Sequence, residues 1–278
     1  MGDGYLPAYP PESFYWLRDV GILTGKNGRR KKKMKRLLTA EFIKIQWRLI
    51  AVLIFIALIA DISLASSNWG MLSAVYEPSW PNYLMYIINL HTAFFFPLLS
   101  GTIAGLICLY EHRSGGWKQL LATPYSRSSI YLAKYAVLLC MLAIIQVLFM
   151  AAEIGSGMVA GVTGSIDWTF LVSSAVLGWI GILPLAAIQL WFSTRFKNFG
   201  IAFSINVVCV LLNIVFSGLP SALGMWFPFT LPFYTMMPQG TPFSPRVQEW
   251  SLYAMVVLSF VFYFTLGQSM FRKKSLAS

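Results

Sequence analysis

Asp61, His91 and Glu153 are ionisable side chains set inside long apolar runs of this chain. An ionisable group at membrane depth is by default a functional candidate, because exposing it to lipid costs several kcal/mol. With the amides Asn206 and Asn213 they make a candidate substrate pathway. The competing readings are structural: Asp61 and Glu153 as interfacial carboxylates near the ends of their runs, His91 as a neutral packed imidazole, and the amides as hydrogen-bonded glue between helices.

A second constellation is compact and charged. Glu111, His112, Arg113, Gly115, Gly116, Trp117, Lys118, Gln119, Leu120, Leu121, Thr123, Pro124, Ser126 and Arg127 lie between two apolar runs, and Lys134 follows. Gly115 and Gly116 can break the preceding helix, Trp117 to Ala122 is long enough for one to two turns, and Thr123 with Pro124 ends them. Ser126 then caps a new helix that carries Arg127 and Lys134. A short rigid element held between two long helices is suited to docking a partner and passing its push to both. A charged loop that only marks the cytoplasmic side is the alternative.

Other chemistries lack their residues. His91 and His112 show no His-x-x-x-His or Glu-x-x-His spacing, so no metal site is expected. Cys108, Cys140 and Cys209 are odd in number and sit in apolar runs as reduced thiols. A Gly-x-Ser-x-Gly elbow is absent. A phosphate cradle needs Gly-x-x-x-x-Gly-Lys followed by Ser or Thr, and Gly25-Lys26-Asn27-Gly28-Arg29 lacks that order. Any ATP-driven work must use another polypeptide's ATPase.

The elements that position these residues follow from composition. Hydrophobic residues make up 57% of the 278, charged residues 11%, and mean hydropathy is +0.66, against about 25% charged residues in soluble domains. This is an all-α integral membrane protein. Runs long enough to cross a hydrocarbon core of about 30 Å extend over Arg48 to Ser66, Leu84 to Tyr110, Ile130 to Glu153, Trp168 to Phe192, Phe199 to Ser217, and Ser251 to Phe271. They lack two-residue alternation and are too long for barrel strands, so six helices are predicted.

Charge sets the orientation. Of the 21 Lys and Arg residues, only Arg246 falls on the side opposite the termini. Both termini are therefore expected in the cytoplasm. The net charge of +11 is a topology signal, and the run Arg29 to Lys33 is read as meeting lipid head groups rather than nucleic acid.

Residues 1–33 differ from the rest and are expected to form a cytoplasmic extension that is flexible and basic at its end; they are not a cleaved secretory signal. From Lys35 to Arg48 the residues Leu37, Leu38, Phe42, Ile43 and Ile45 alternate with Lys35, Arg36, Glu41, Lys44 and Arg48 at nearly helical spacing. An interfacial elbow helix before the first span fits that pattern, as does a simple extension of the span.

The last outer segment, from Gly218 to Glu249, holds Pro220, Pro228, Pro232, Pro238, Pro242 and Pro245 among Trp226, Phe227, Phe229, Phe233, Tyr234 and Phe243. The prolines forbid a continuous span, while the aromatics want an apolar or interfacial setting. A re-entrant or interfacial hairpin satisfies both, with Trp226, Phe229, Phe233 and Tyr234 as outer gate candidates. An aromatic belt that only anchors the protein is the alternative.

The pattern Glu-x-x-x-Gly-Gly-Trp-Lys-x-Leu-Leu-x-Thr-Pro-x-Ser-Arg, from Glu111 to Arg127 with Lys134 beyond it, resembles the segment after the second span of ABC-2 type permeases. The nearest likeness is to permease subunits of lantibiotic immunity and bacitracin resistance, whose usual start also resembles Met34-Lys35-Arg36-Leu37-Leu38. The likeness covers residues 34–278 as one six-span permease domain. It implies a bacterial plasma-membrane exporter with two permease chains, alike or homologous, and two cytoplasmic ABC ATPase subunits that bind ATP and Mg. It further implies a coupling helix at Trp117 to Leu121, with Glu111 ending the second span, Gly115 and Gly116 as hinge, and Pro124 as terminator. Arg127 and Lys134 would anchor the returning helix at phosphate level, and Arg113, Lys118, Leu120 and Leu121 complete the ATPase-coupling set. The implied cargo is amphipathic: an antimicrobial peptide, a bacitracin-like antibiotic or a lipid-linked molecule. A membrane-embedded enzyme, with Asp61, His91, Glu153 and Asn206 in one pocket, and a sensory or scaffold protein are the rival functions.

Overall fold

The computed structural model describes residues 31–75, 77–113, 115–218, 222–237 and 247–273. The extension over residues 1–30, Ser114, Pro220, Pro238, Pro242, Phe243, Pro245, Arg246 and Lys274 lie outside them. Among the described residues the regular elements are helical, and six helices are long and apolar enough to cross a membrane: Trp47–Met71, Trp80–Arg113, Arg127–Val159, Trp168–Arg195, Phe199–Ser217 and Glu249–Arg272. These match the six predicted runs.

The helix over residues 31–44, α1, precedes the first span, α2 (Trp47–Leu72). The second span is composite: α3 (Trp80–Leu90), a π-helical turn (His91–Phe95) and α4 (Phe96–Arg113). The short helix α5 (Gly116–Leu121) leads to the third span, α6 (Arg127–Val159). The fourth span is α7 (Trp168–Gly181) followed by α8 (Leu183–Arg195), and the fifth is α9 (Phe199–Ser217). A 3-10 turn (Ala222–Trp226) and α10 (Leu231–Met236) precede the last span, α11 (Glu249–Arg272).

Local chemistry sets the boundaries. Ser126, Asp167 and Asn198 accept backbone N–H bonds at the starts of α6, α7 and α9, supplying partners the first turn cannot find within the helix. Pro184 stands at the start of α8, where its ring and missing N–H interrupt an otherwise continuous fourth span.

Helix α1, α5, the turn after α8 and the end of α11 gather at one end of the bundle, called here the α5 end. At the far end, the loops after α2 and α6 are tied by Thr163, whose N–H and hydroxyl both donate to the Pro78 carbonyl at 3.1 and 2.9 Å.

Helix α10, which lies between α9 and α11 in the chain, folds back into the bundle. A Cβ on Gly181 would run into Thr235 and the Leu231 carbonyl, and one on Gly178 into Met236 and Gln146. Gly178 and Gly181 lie at the inner end of α7, so α10 reaches the bundle's middle depth instead of lying across its rim. Phe229, Phe233 and Tyr234 are buried there, whereas Trp226 is 70% exposed. Of the four gate candidates, three are core residues and Trp226 alone faces outward.

Candidate functional site

Helix α5 is anchored by one side chain. Gly115 adopts φ 64°, a left-handed turn that glycine makes without steric cost, and redirects the chain from α4 into α5. This turn drops Trp117 onto the bundle. Its indole N–H donates to His112 Nδ1 at 3.2 Å, and its ring lies edge-on to Phe271 of α11 with centroids 5.5 Å apart. The His112 Nε2 atom lies 2.8 Å from the Ser193 carbonyl of α8. Because the indole can only donate, Nδ1 must accept and Nε2 carries the proton. Trp117 and His112 thus connect α5 to α4, α8 and α11. Gly116 and Leu120 are buried beside Trp117, Leu121 is half-buried, and Arg113, Lys118, Gln119 and Pro124 are exposed.

Beneath Trp117 lies a four-membered ion network. Lys134 Nζ, fully buried, contacts Glu41 Oε2 at 2.8 Å and Glu111 Oε1 at 3.0 Å, donates to the Ile107 carbonyl, and sits 5.5 Å over the Trp117 ring. Lys44 bridges the same two carboxylates, at 3.0 Å from Glu41 and 3.1 Å from Glu111. Two ammonium groups against two carboxylates leave no net charge, which buried ions require. Burial by itself raises the Glu41 carboxyl, but the charges and hydrogen bonds of Lys134 and Lys44 outweigh it and hold the group below the ordinary carboxylate range.

The network changes the expectation for two elements. Lys134, expected as an anchor of the returning helix, is fully buried and paired with Glu41 and Glu111. Helix α1 turns Leu37 and Glu41 inward, with Ile45 just after it, and leaves Ile43 outward, 76% exposed, so a carboxylate joins the apolar residues that seat it. Arg127 instead donates to the Arg272 carbonyl at 2.8 Å, where a cation suits the last turn of α11. Glu41 and Lys44 are site residues that amphipathic reading had assigned to the lipid surface; their spacing of three on one helix face was the available signal.

Beside α5 a cavity of about 450 Å³ opens at this end of the bundle, with Trp117, Trp191 and Phe271 on its apolar walls and Lys118, Arg195 and Lys273 among its basic residues.

The pathway candidates separate into two groups. Asp61 and His91 are fully buried and paired, Asp61 Oδ2 to His91 Nδ1 at 2.8 Å, and Glu153 is 3% exposed nearby. Asn213 donates to the carbonyls of Thr92 and Ala93 in the π turn, at 3.3 and 2.9 Å. Asn206 belongs elsewhere: it receives Gln189 Nε2 at 2.9 Å and donates to the Leu98 carbonyl, while Gln189 also holds Ser100. It therefore joins α9 to α4 and α8. The convergence of all four residues that an embedded enzyme needs does not occur. Among the described residues no group of His, Cys, Asp and Glu is disposed to hold a metal ion.

A family model described as ABC-2 family transporter protein matches residues 37–213, more than half of the chain. The chain belongs to the ABC-2 transporter family. Comparison with curated proteins gives no match. For an ABC-2 transporter the six membrane helices are the transport component, and the family works with ABC ATPase partners. The matched residues include α1 from Leu37 onward, α5, the ion network and the Asp61–His91 pair.

Proposed function

We propose that this chain is the permease subunit of an ATP-driven exporter, with α5 as the coupling helix that seats on a cytoplasmic ATPase. The observation that carries the reading is the attachment of α5. Trp117 links it to α4, α6 and α11, and His112, which accepts the indole N–H, links it on to α8, while Arg113, Lys118 and Gln119 remain exposed for a partner. A push on the exposed face is delivered to four spans at once.

In this reading two ATPase subunits, which bind ATP and Mg, serve two permease chains, either identical or homologous, in a bacterial plasma membrane with the termini and α5 cytoplasmic. Closure of the ATPases tilts the bundle through α5, and cargo that entered laterally between the permeases leaves outward. The cargo class is amphipathic, such as a lantibiotic, a bacitracin-like antibiotic or another antimicrobial peptide. The likeness of the 111–127 segment to immunity and resistance permeases supports that choice, and sparsely charged spans suit such molecules better than hydrophilic solutes. The α10 hairpin, with Trp226 at its outer edge, would line the release side.

The test is co-purification and turnover. The wild-type chain should retain its ATPase in mild detergent and show peptide-stimulated ATP hydrolysis, and Trp117→Ala with Lys118→Glu should lose both. Undiminished stimulated hydrolysis in the double variant would sink the docking assignment.

A further inference from the structure

Three residue stripes meet in the half of the bundle away from α5. On α2 the stripe is Asp61, Ala65 and Trp69; on the second span it is Tyr83, Ile87 and His91; on α6 it is Phe149, Glu153 and Gly157. Each is spaced by four, so each lies along one helix face. The outermost rung is aromatic: Trp69 meets Tyr83 edge-on with centroids 5.0 Å apart, and Tyr83 closes on Gly157. The innermost rung is His91, bonded to Asp61 and stacked on Phe149 at 3.5 Å between centroids. Between these rungs on the α6 stripe stands Glu153.

Glu153 is 3% exposed, and Asp61 lies close enough to act on it electrostatically. Glu153 Oε1, His91 Nε2 and Asp61 Oδ1 are buried without hydrogen-bond partners. Such groups are costly to keep at membrane depth, and an apolar residue would pack the same space. Their retained capacity is for one small ligand, a proton. We propose that Glu153, with the Asp61–His91 pair behind it, is an exchangeable proton-binding site loaded from the far end of the bundle.

The proton balance is simple. With Glu153 protonated and the Asp61–His91 pair neutral as a unit, whichever member holds the proton between them, the cluster is neutral. Release of the Glu153 proton to water leaves one net negative charge on its carboxylate, and no electrons move. Glu153 stands six residues before the end of α6, about 9 Å along the helix from the rim, whereas Asp61 and His91 are deeper, so Glu153 is the exchanging member. Tyr83 is the remaining titratable group on the three stripes. Helices α9 and α10 also pack on the π turn and carry no acidic or basic residue, only Cys209 and Tyr234. Because His91 opens the π turn whose carbonyls Asn213 holds, occupancy of the site is linked to α9.

The experiment uses the full chain in lipid nanodiscs and needs no ATPase, so its failure leaves the exporter reading standing. Infrared difference spectra across a pH titration should show a carboxylic-acid band that Glu153→Gln removes. Asp61→Asn should keep the band and move its midpoint by about one pH unit or more, as expected of coupled sites. The chain has two histidines, so ¹⁵N-histidine labelling with His112→Gln as reference isolates His91, whose ring signals should shift in Asp61→Asn, which alters the partner of Nδ1. A band that survives Glu153→Gln, a midpoint unmoved by Asp61→Asn, or a Glu153 that never changes protonation state would overturn the proposal.

Discussion

Lys134 Nζ donates to Glu41 Oε2 at 2.8 Å, which fastens the helix before the first span to the start of the third. The bond lies directly under the α5 anchor, with Lys134 Nζ 5.5 Å over the Trp117 ring. A buried pair of this kind adds little over apolar residues of the same shape, but removing one partner strands the other.

Lys134→Met should therefore destabilise the protein by about 3 kcal/mol, since Glu41 and Glu111 lose their buried cation and keep only the partly exposed Lys44. The double variant Lys134→Met with Glu41→Gln should lose less than the two single losses added together. Unfolding of the four proteins in one detergent measures the coupling, and strict additivity would contradict the network.

Acid should loosen α1 before the rest of the bundle. Because the folded state holds Glu41 below the ordinary carboxylate range, its stabilisation is complete above the unfolded value and is lost as pH falls through the depressed folded value. Hydrogen exchange over residues 31–44 should rise in that acidic window and stay flat above it. In Glu41→Gln the acid-dependent rise should disappear.

Gly115 has no neighbour within 4 Å of an added Cβ but has φ 64°, so substitution there strains only the backbone. Gly115→Val should cost about 1–2 kcal/mol, and Gly115→Asn less, because Asn tolerates the left-handed region. Proteolysis at the α4–α5 joint reads the difference; equal sensitivity in both variants would show that the turn is not under that constraint.

Gly181→Ala should push α10 away, as its Cβ would meet Thr235 and Leu231, and overpacking of this kind costs about 1–3 kcal/mol. Exchange of the 231–236 amides should quicken. Gly155→Ala, with nothing within 4 Å, is the matched control and should leave those amides unchanged.

The six spans were legible because lipid demands long apolar runs and leaves few other solutions. Ser126, Pro124 and the glycines at 115 and 116 announced the interruption between the second and third spans, since their backbone preferences act locally. Glu41 was not legible in the same way. Its partner Lys134 is remote in the chain, and a carboxylate on an amphipathic helix otherwise belongs at the head groups. The pairing of Asp61 with His91 was hidden for the same reason, each looking like an isolated polar group near the end or middle of its own run. Within the π turn, His91 to Phe95 carry no breaker residue; the nearest marker is Pro97, whose missing N–H and ring disfavour an ordinary helical bond to the Ala93 carbonyl, which Asn213 takes instead. The break after Ile182 did have a marker in Pro184, masked by the apolar residues around it.

The π turn also imposes a phase shift. The Phe96 N–H reaches back to the His91 carbonyl, so the second span winds in one surplus residue, worth about 100° of rotation in a regular helix. Its two halves consequently address different audiences: α3 packs on α2, α6 and α10, whereas α4, though it also touches α6 and α2, packs chiefly on α8 and α9. Were the surplus unwound, one half would have to swivel against the other, so this span is built less like a strut than like a key cut with two offset bits.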